Sequence, residues 1–209
     1  NLPARKLTAD QKQLISLGRG LVREDVAGVL MDEPLTVIDP DLKFRLRRNL
    51  KEINEQYKTT LVYVTHDQNE AMTFADNIIV MDQGEIVQVG LPKDLFERPK
   101  TTFVGYFIGS PAMNIFESEV SSEYSVKINN VEIKTNSNLS KIKDKNVKLG
   151  IRSEFINVTE KEGQNTIKAS LTRVEDFGNF KLLTANMGDF VIKSKVCLLY
   201  TSDAADDFT

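Results

Sequence analysis

The sequence predicts an α/β chain that continues into a small all-β unit, on three observations. Up to about residue 112, helical apolar faces alternate with short, wholly apolar runs. Two of those runs end in polar side chains suited to chemistry, Asp32-Glu33 and His66. After about residue 113, apolar residues recur with period two between turn signals. The 209 residues, 41% apolar and 27% charged, suffice for one large domain or two small ones.

Leu14, Leu17 and Leu21 mark one stripe of a first helix, and Leu42, Leu46, Leu50, Ile53 and Tyr57 the buried face of a longer one. Asp39 can cap the longer helix, Pro40 suits its first turn and Asp41 complements its dipole. Gly28 to Met31 and Thr60 to Val64 are unbroken apolar runs, as expected of parallel strands covered on both faces. Asn77 to Met81 and Glu85 to Val89 flank Asp82-Gln83-Gly84, a hairpin signal. In the β part, Tyr124, Val126 and Ile128 alternate with polar residues, turn at Asn129-Asn130 and continue in Val131 and Ile133. Val147, Leu149 and Ile151 alternate too, as do Ile167, Ala169 and Leu171, and Phe180 with Leu182, which suggests a small barrel or sandwich. A boundary is placed near Ser110-Pro111.

A net charge of −3 with dispersed Lys and Arg lacks the clustered basic excess of a nucleic-acid binder, so no nucleic-acid partner is expected. No apolar run reaches the roughly 18 residues of a membrane span, and the first residues carry no signal-peptide pattern. Any membrane role is expected to come through a partner. A single cysteine, Cys197, and a single histidine, His66, exclude an internal disulfide and a structural zinc site, and fit a reducing cytoplasm. Arg45, Arg47, Arg48 and Lys51 read as a solvated helix face, and Gly18-Arg19-Gly20 lies within a helical pattern rather than in a nucleotide fingerprint.

A strand that ends in two carboxylates presents them at the carboxyl edge of a parallel sheet, where ligands of open α/β folds bind. Asp32 suits a Mg²⁺ ion, through water, and Glu33 an attacking water as general base. An acidic turn that caps a helix is the plainer alternative. One strand–helix–strand crossover separates Glu33 from His66, so both emerge on the same sheet edge. Together they point to contacts with a terminal phosphate.

With these segments in order, residues 1 to about 196 resemble the ATP-binding subunits of ABC importers, in the carbohydrate and glycerol-phosphate branch typified by the maltose importer. The motifs are a signature-like Leu7-Thr8-Ala9-Asp10-Gln11, a Walker B strand ending Met31-Asp32 with Glu33, a D-loop at Thr36 to Asp39 and the H-loop at His66. Gly109 to Asn114 and Leu149 to Glu154 look like the entry into, and middle of, that branch's accessory β domain (TOBE, related to oligonucleotide-binding barrels). The resemblance implies residues 1–112 as the C-terminal part of a P-loop ATPase domain and 113–196 as the accessory barrel. It implies ATP and Mg²⁺ as cofactors, with Asp32 in the metal shell, Glu33 orienting or deprotonating water, His66 on the γ-phosphate and Asp39 communicating across a dimer. It also implies two membrane-spanning permease subunits, a periplasmic binding protein indirectly, and a peripheral place on the cytoplasmic face of the membrane. The substrate expected is a sugar, polyol or glycerol-phosphate.

Two departures stand out. The phosphate loop Gly-x-x-x-x-Gly-Lys-Ser/Thr occurs nowhere in the chain, which opens on Asn1. The expectation is an N-terminally truncated ATPase that is inactive alone. The signature of the family is Leu-Ser-Gly-Gly-Gln, and Ala9 and Asp10 replace its glycines. Ala9 adds a Cβ where backbone must approach the phosphate, and Asp10 adds a negative charge facing another. Two like charges at about 4 Å repel by on the order of 1 kcal/mol in water and about 4 kcal/mol at an effective dielectric near ~20. A heterodimer with a second ATPase carrying an intact signature is therefore expected, although Thr8 or Asp10 can also serve as a helix cap. Two other classes compete: a regulatory module without its own ATPase activity, and an ABC ATPase with no transporter, against which the β domain argues. Residues 197–209 resemble translated adapter sequence and are expected to form a non-native or disordered tail without a site.

Overall fold

Thr8 holds extended backbone just before Ala9, and α1 (Ala9–Leu21) starts there. The structure, a computed structural model, describes residues 3–23 and 26–197. It divides into two units between Asp94 and Leu95, and each is taken on its own below.

In the first unit the stripe Leu14, Leu17 and Leu21 is half-buried along α1. The strand β1 (Gly28–Asp32) pairs in parallel with β2 (Thr60–Val64), from Gly28 opposite Thr60 to Asp32 opposite Val64. The crossover between them is α2 (Pro40–Tyr57), capped by Asp39, whose carboxylate accepts from the Asp41 N–H at 3.0 Å. It ends at Lys58, in left-handed backbone at φ 51°. Leu50 is buried and Leu42, Leu46 and Ile53 are half-buried, as predicted, whereas Tyr57 in the last turn is exposed. After α3 (Gln68–Phe74) come β3 (Ile78–Asp82) and β4 (Glu85–Gly90), an antiparallel hairpin turning at Gln83 (φ 48°) and Gly84 (φ 84°). Positive φ at both turn residues matches the right-handed twist of the strands.

Two expectations for this unit need correction. Coverage of β1 and β2 on both faces fails, because Leu30 is 71% and Val62 49% exposed. Only the face bearing Met31 and Tyr63 is packed, with the Tyr63 ring 5.1 Å from that of Phe74 on α3. Arg47 is not purely solvated either: its guanidinium lies 3.6 Å from Glu70, whereas Arg48 forms an exposed pair with Glu52.

The short α4 (Pro92–Glu97) crosses the division, and the second unit continues with α5 (Thr102–Phe107), whose cap Thr101 accepts from the Val104 N–H. Four antiparallel strands follow: β5 (Asn114–Ser122), β6 (Ser125–Ile128), β7 (Val131–Lys134) and β8 (Asn146–Ile151), in spatial order β7-β6-β5-β8. A three-stranded antiparallel sheet, β11-β10-β9, is built from β9 (Ser170–Asp176), β10 (Phe180–Met187) and β11 (Phe190–Cys197). Phe116, Val126, Ile128, Ile133, Met187 and Ile192 form its core, drawn from both sheets. Buried Asn114 joins them, donating to the Lys193 carbonyl at 2.9 Å and accepting from the Lys193 N–H at 2.7 Å. The alternation at 167–171 predicts a strand too early. Ile167 packs against the core from a loop, and β9 begins at Ser170. Cys197, assigned from sequence to the tail, is the last residue of β11 and pairs with Phe180. Residues 198–209, the rest of that tail, lie outside the described residues. Among the described residues no helix is long and apolar enough to cross a membrane.

Candidate functional site

Because β1 and β2 run in parallel, their carboxyl ends share one edge, and the chain chemistry concentrates there. Asp32 is the last, exposed residue of β1. The Glu33 N–H extends the ladder by one bond, donating to the Val64 carbonyl at 2.9 Å. Its backbone then enters the left-handed region at φ 47°. A non-glycine residue there costs on the order of 1 kcal/mol or more and persists only where its surroundings hold it. What holds Glu33 is its own side chain. Its Oε1 accepts from the His66 backbone N–H at 3.0 Å and lies 2.5 Å from His66 Nδ1, while Oε2 accepts from the Thr36 hydroxyl at 2.7 Å.

These partners set the electrostatics. The Thr36 hydroxyl, joined by the His66 contacts, holds the Glu33 carboxyl below the ordinary carboxylate range, against an opposing effect of burial that is smaller than that of Thr36. An ionised carboxylate only accepts, so the shared proton belongs to His66 Nδ1. The His66 side chain is 76% exposed and, among the described residues, Nε2 has no hydrogen-bond partner, which leaves that nitrogen for a ligand. The turn after Glu33 is anchored by Leu35 and Ile38, both buried, and closed by the Ile38 N–H donating to the Leu35 carbonyl at 3.2 Å.

The structure thus brings Glu33, His66 and Asp32 to one edge. It places the other predicted residues at helix starts. Asp39 caps α2, and the bonds of Leu7 to Gln11 are local: Gln11 Oε1 accepts from the Thr8 N–H at 3.2 Å, and the Thr8 hydroxyl donates to Asp10. That hydroxyl holds the Asp10 carboxyl below its usual range, so Asp10 is an anion at the start of α1. None of these bonds reaches the Glu33–His66 pair. Among the described residues no group of three or more His, Cys, Asp or Glu could hold a metal ion by itself. An exposed single carboxylate, Asp32, fits Mg²⁺, which keeps several waters and takes one or two carboxylates beside phosphate oxygens.

Sequence reasoning missed Glu70. It is 3% exposed, and its Oε2 accepts from the Tyr63 hydroxyl at 2.8 Å and the Thr65 hydroxyl at 3.1 Å. Its Oε1 makes no hydrogen bond but faces Lys43 Nζ at 3.3 Å and Arg47 at 3.6 Å. Burial, and then Glu70, push the Tyr63 phenol far up. Asp67-Gln68-Asn69-Glu70 reads locally as a helix-capping pattern, and nothing in it signals that the glutamate is buried.

Residues 109–156 match the family described as the MalK OB fold domain. Over 184 residues, 86% of this chain and 46% of the relative, the sequence is 39% identical to the sn-glycerol-3-phosphate import ATP-binding protein UgpC of Psychromonas ingrahamii. It is 38% identical to the oligosaccharides import ATP-binding protein MsmX of Bacillus subtilis over 84% of this chain and 50% of that protein. A UgpC of Brucella abortus is 47% identical over 120 residues, 57% of this chain and 34% of the relative. The chain therefore spans about half the length of the curated relatives it matches. Over most of its length the chain is thus similar to proteins named as import ATP-binding proteins for glycerol-phosphate and oligosaccharides, and residues 109–156 match the MalK OB fold domain.

Proposed function

We propose that the chain belongs to the ATP-hydrolysing subunit of an importer for a sugar, polyol or glycerol-phosphate. The observation that carries this reading is the bond between Glu33 and His66 at the shared edge of β1 and β2. Glu33, ionised and held by Thr36 and His66, orients the attacking water and accepts its proton. His66 contacts the γ-phosphate through the nitrogen that Glu33 leaves free. Asp32 holds the Mg²⁺ shell, and the ion, when bound, neutralises charge on the phosphates. Residues 1–112 serve as the ATPase portion and 113–196 as the accessory barrel. The subunit works peripherally on the cytoplasmic face of the membrane, with two permease subunits and, indirectly, a periplasmic binding protein.

The 209 residues contain no phosphate loop, so by themselves they lack the backbone nest that grips β- and γ-phosphates and do not hydrolyse ATP. The anionic Asp10 and the Cβ of Ala9 support an asymmetric pair of ATPases, in which the site using this chain's signature is degenerate. Isolation of the transporter with two copies of this one ATPase would refute that pairing. For the hydrolytic reading, Glu33→Gln is made in the complete gene product assembled with its partners. The turnover number of ATP hydrolysis is expected to fall by on the order of a hundredfold, with ATP still bound. An unchanged turnover number refutes the assignment.

A further inference from the structure

Among the described residues of the first unit Glu70 is the most deeply buried carboxylate, and the chemistry at the sheet edge does not use it directly. A buried charge is retained only where partners compensate it. Its partners lie in two places. Lys43 and Arg47 approach one oxygen from α2, the helix that Asp39 caps. Tyr63 and Thr65 donate to the other oxygen from β2 and the residue beyond it.

Thr65 immediately precedes His66, and its hydroxyl does two things. It donates to Glu70 and accepts from the Asp67 N–H at 3.0 Å, so the bonds on either side of His66 meet at one oxygen. Asp67 in turn accepts from the Asn69 and Glu70 N–H groups and starts α3. His66 therefore sits on a closed ring of bonds through Thr65, Glu70 and Asp67, while its own N–H and Nδ1 are committed to Glu33.

We infer that Glu70 is a positioning residue, which through Thr65 fixes the backbone that presents His66 to Glu33 and ties that backbone to α2. The consequence for catalysis rests on the function proposed above; the positioning itself does not. A rigid link of this kind matters because small displacements of a reacting group cost large factors in rate.

His66 is the only histidine, so its ring carbon-bound proton signals are unambiguous in the NMR spectrum of the 209-residue chain. Glu70→Gln and Thr65→Val are expected to move those signals toward the position they take in Glu33→Gln. Tyr63→Phe removes a shorter bond to Glu70 away from His66, 2.8 Å against 3.1 Å, and is expected to leave them in place. If Glu70→Gln does not fold, Thr65→Val decides, because it keeps the carboxylate paired with Lys43 and Arg47. Folded Thr65→Val protein with wild-type His66 signals overturns the inference. In the complete gene product, Thr65→Val is expected to lower the ATPase turnover number on the order of tenfold, with the KM for ATP unchanged and Tyr63→Phe near wild type. Shifted signals with unchanged turnover would leave the positioning standing and remove the catalytic reading of the Glu33–His66 pair.

Discussion

At the scale of single residues, the sheet edge is governed by how Glu33 is held. Left-handed backbone at φ 47°, a hydroxyl on one oxygen and a histidine on the other make its carboxylate a fixed acceptor rather than a mobile surface charge. Its folded-state pKa lies below the ordinary glutamate value, so it favours folding above that value. That contribution is lost as pH falls through the lowered folded value, and nothing changes above neutrality on its account. Urea unfolding of the wild type and Glu33→Gln between neutral pH and about pH 3 is expected to show a shallower acid loss in the variant. Parallel acid profiles would mean that the Thr36 and His66 contacts do not persist in solution. Asp10 and Glu132 are depressed in the same direction by serine and threonine hydroxyls, so an acid dependence remains in the variant.

At the scale of elements, local patterns carried most of the fold. The unbroken apolar runs became β1 and β2, Asp39-Pro40 became the start of α2, and the period-two stretches became β6, β7 and β8. Glu33 and His66 were legible because a strand end followed by a polar side chain is itself a local signal. Glu70 and Arg152 were not, since the cations facing Glu70 and the carbonyls that Arg152 reaches are distant in sequence and a charged side chain ordinarily reads as solvated. Arg152, just past β8, is 2% exposed. It donates to the carbonyls of Phe96, Gly105 and Ile108 and lies 4.4 Å over the Phe96 ring. These carbonyls lie at the C-terminal ends of α4 and α5, so one guanidinium fastens both short helices to the sheet. Arg152→Met, similar in length but without donors, removes all of these bonds from a buried site. A loss on the order of 3 kcal/mol is expected in the urea unfolding of the second unit. Lysine should rescue it poorly, because an ammonium cannot span the same fork. A loss below about 0.5 kcal/mol would show that water replaces the guanidinium.

At the scale of the whole molecule, the two units differ in how completely each closes its own core. The second unit buries Phe116, Val126, Ile128, Ile133, Met187 and Ile192 from two sheets against one another, and Asn114 bonds both. The first unit has a two-stranded parallel sheet packed on one face, with Leu30, Val62 and Val64 on the other 71%, 49% and 46% exposed. Two strands with one apolar face open to water bury too little area to resist local opening. Opening free energy follows local burial and the solvent exposure of backbone bonds. Native-state hydrogen exchange of the 209-residue chain should therefore protect amides of the β5–β8 and β9–β11 ladders well beyond those of β1 and β2. Addition of urea should unfold β1 and β2 first, in a separate step that Glu33→Gln shifts and Arg152→Met does not. Equal protection in both ladders, or a single transition moved alike by both substitutions, would show that the first unit is as stable as the second despite its open face.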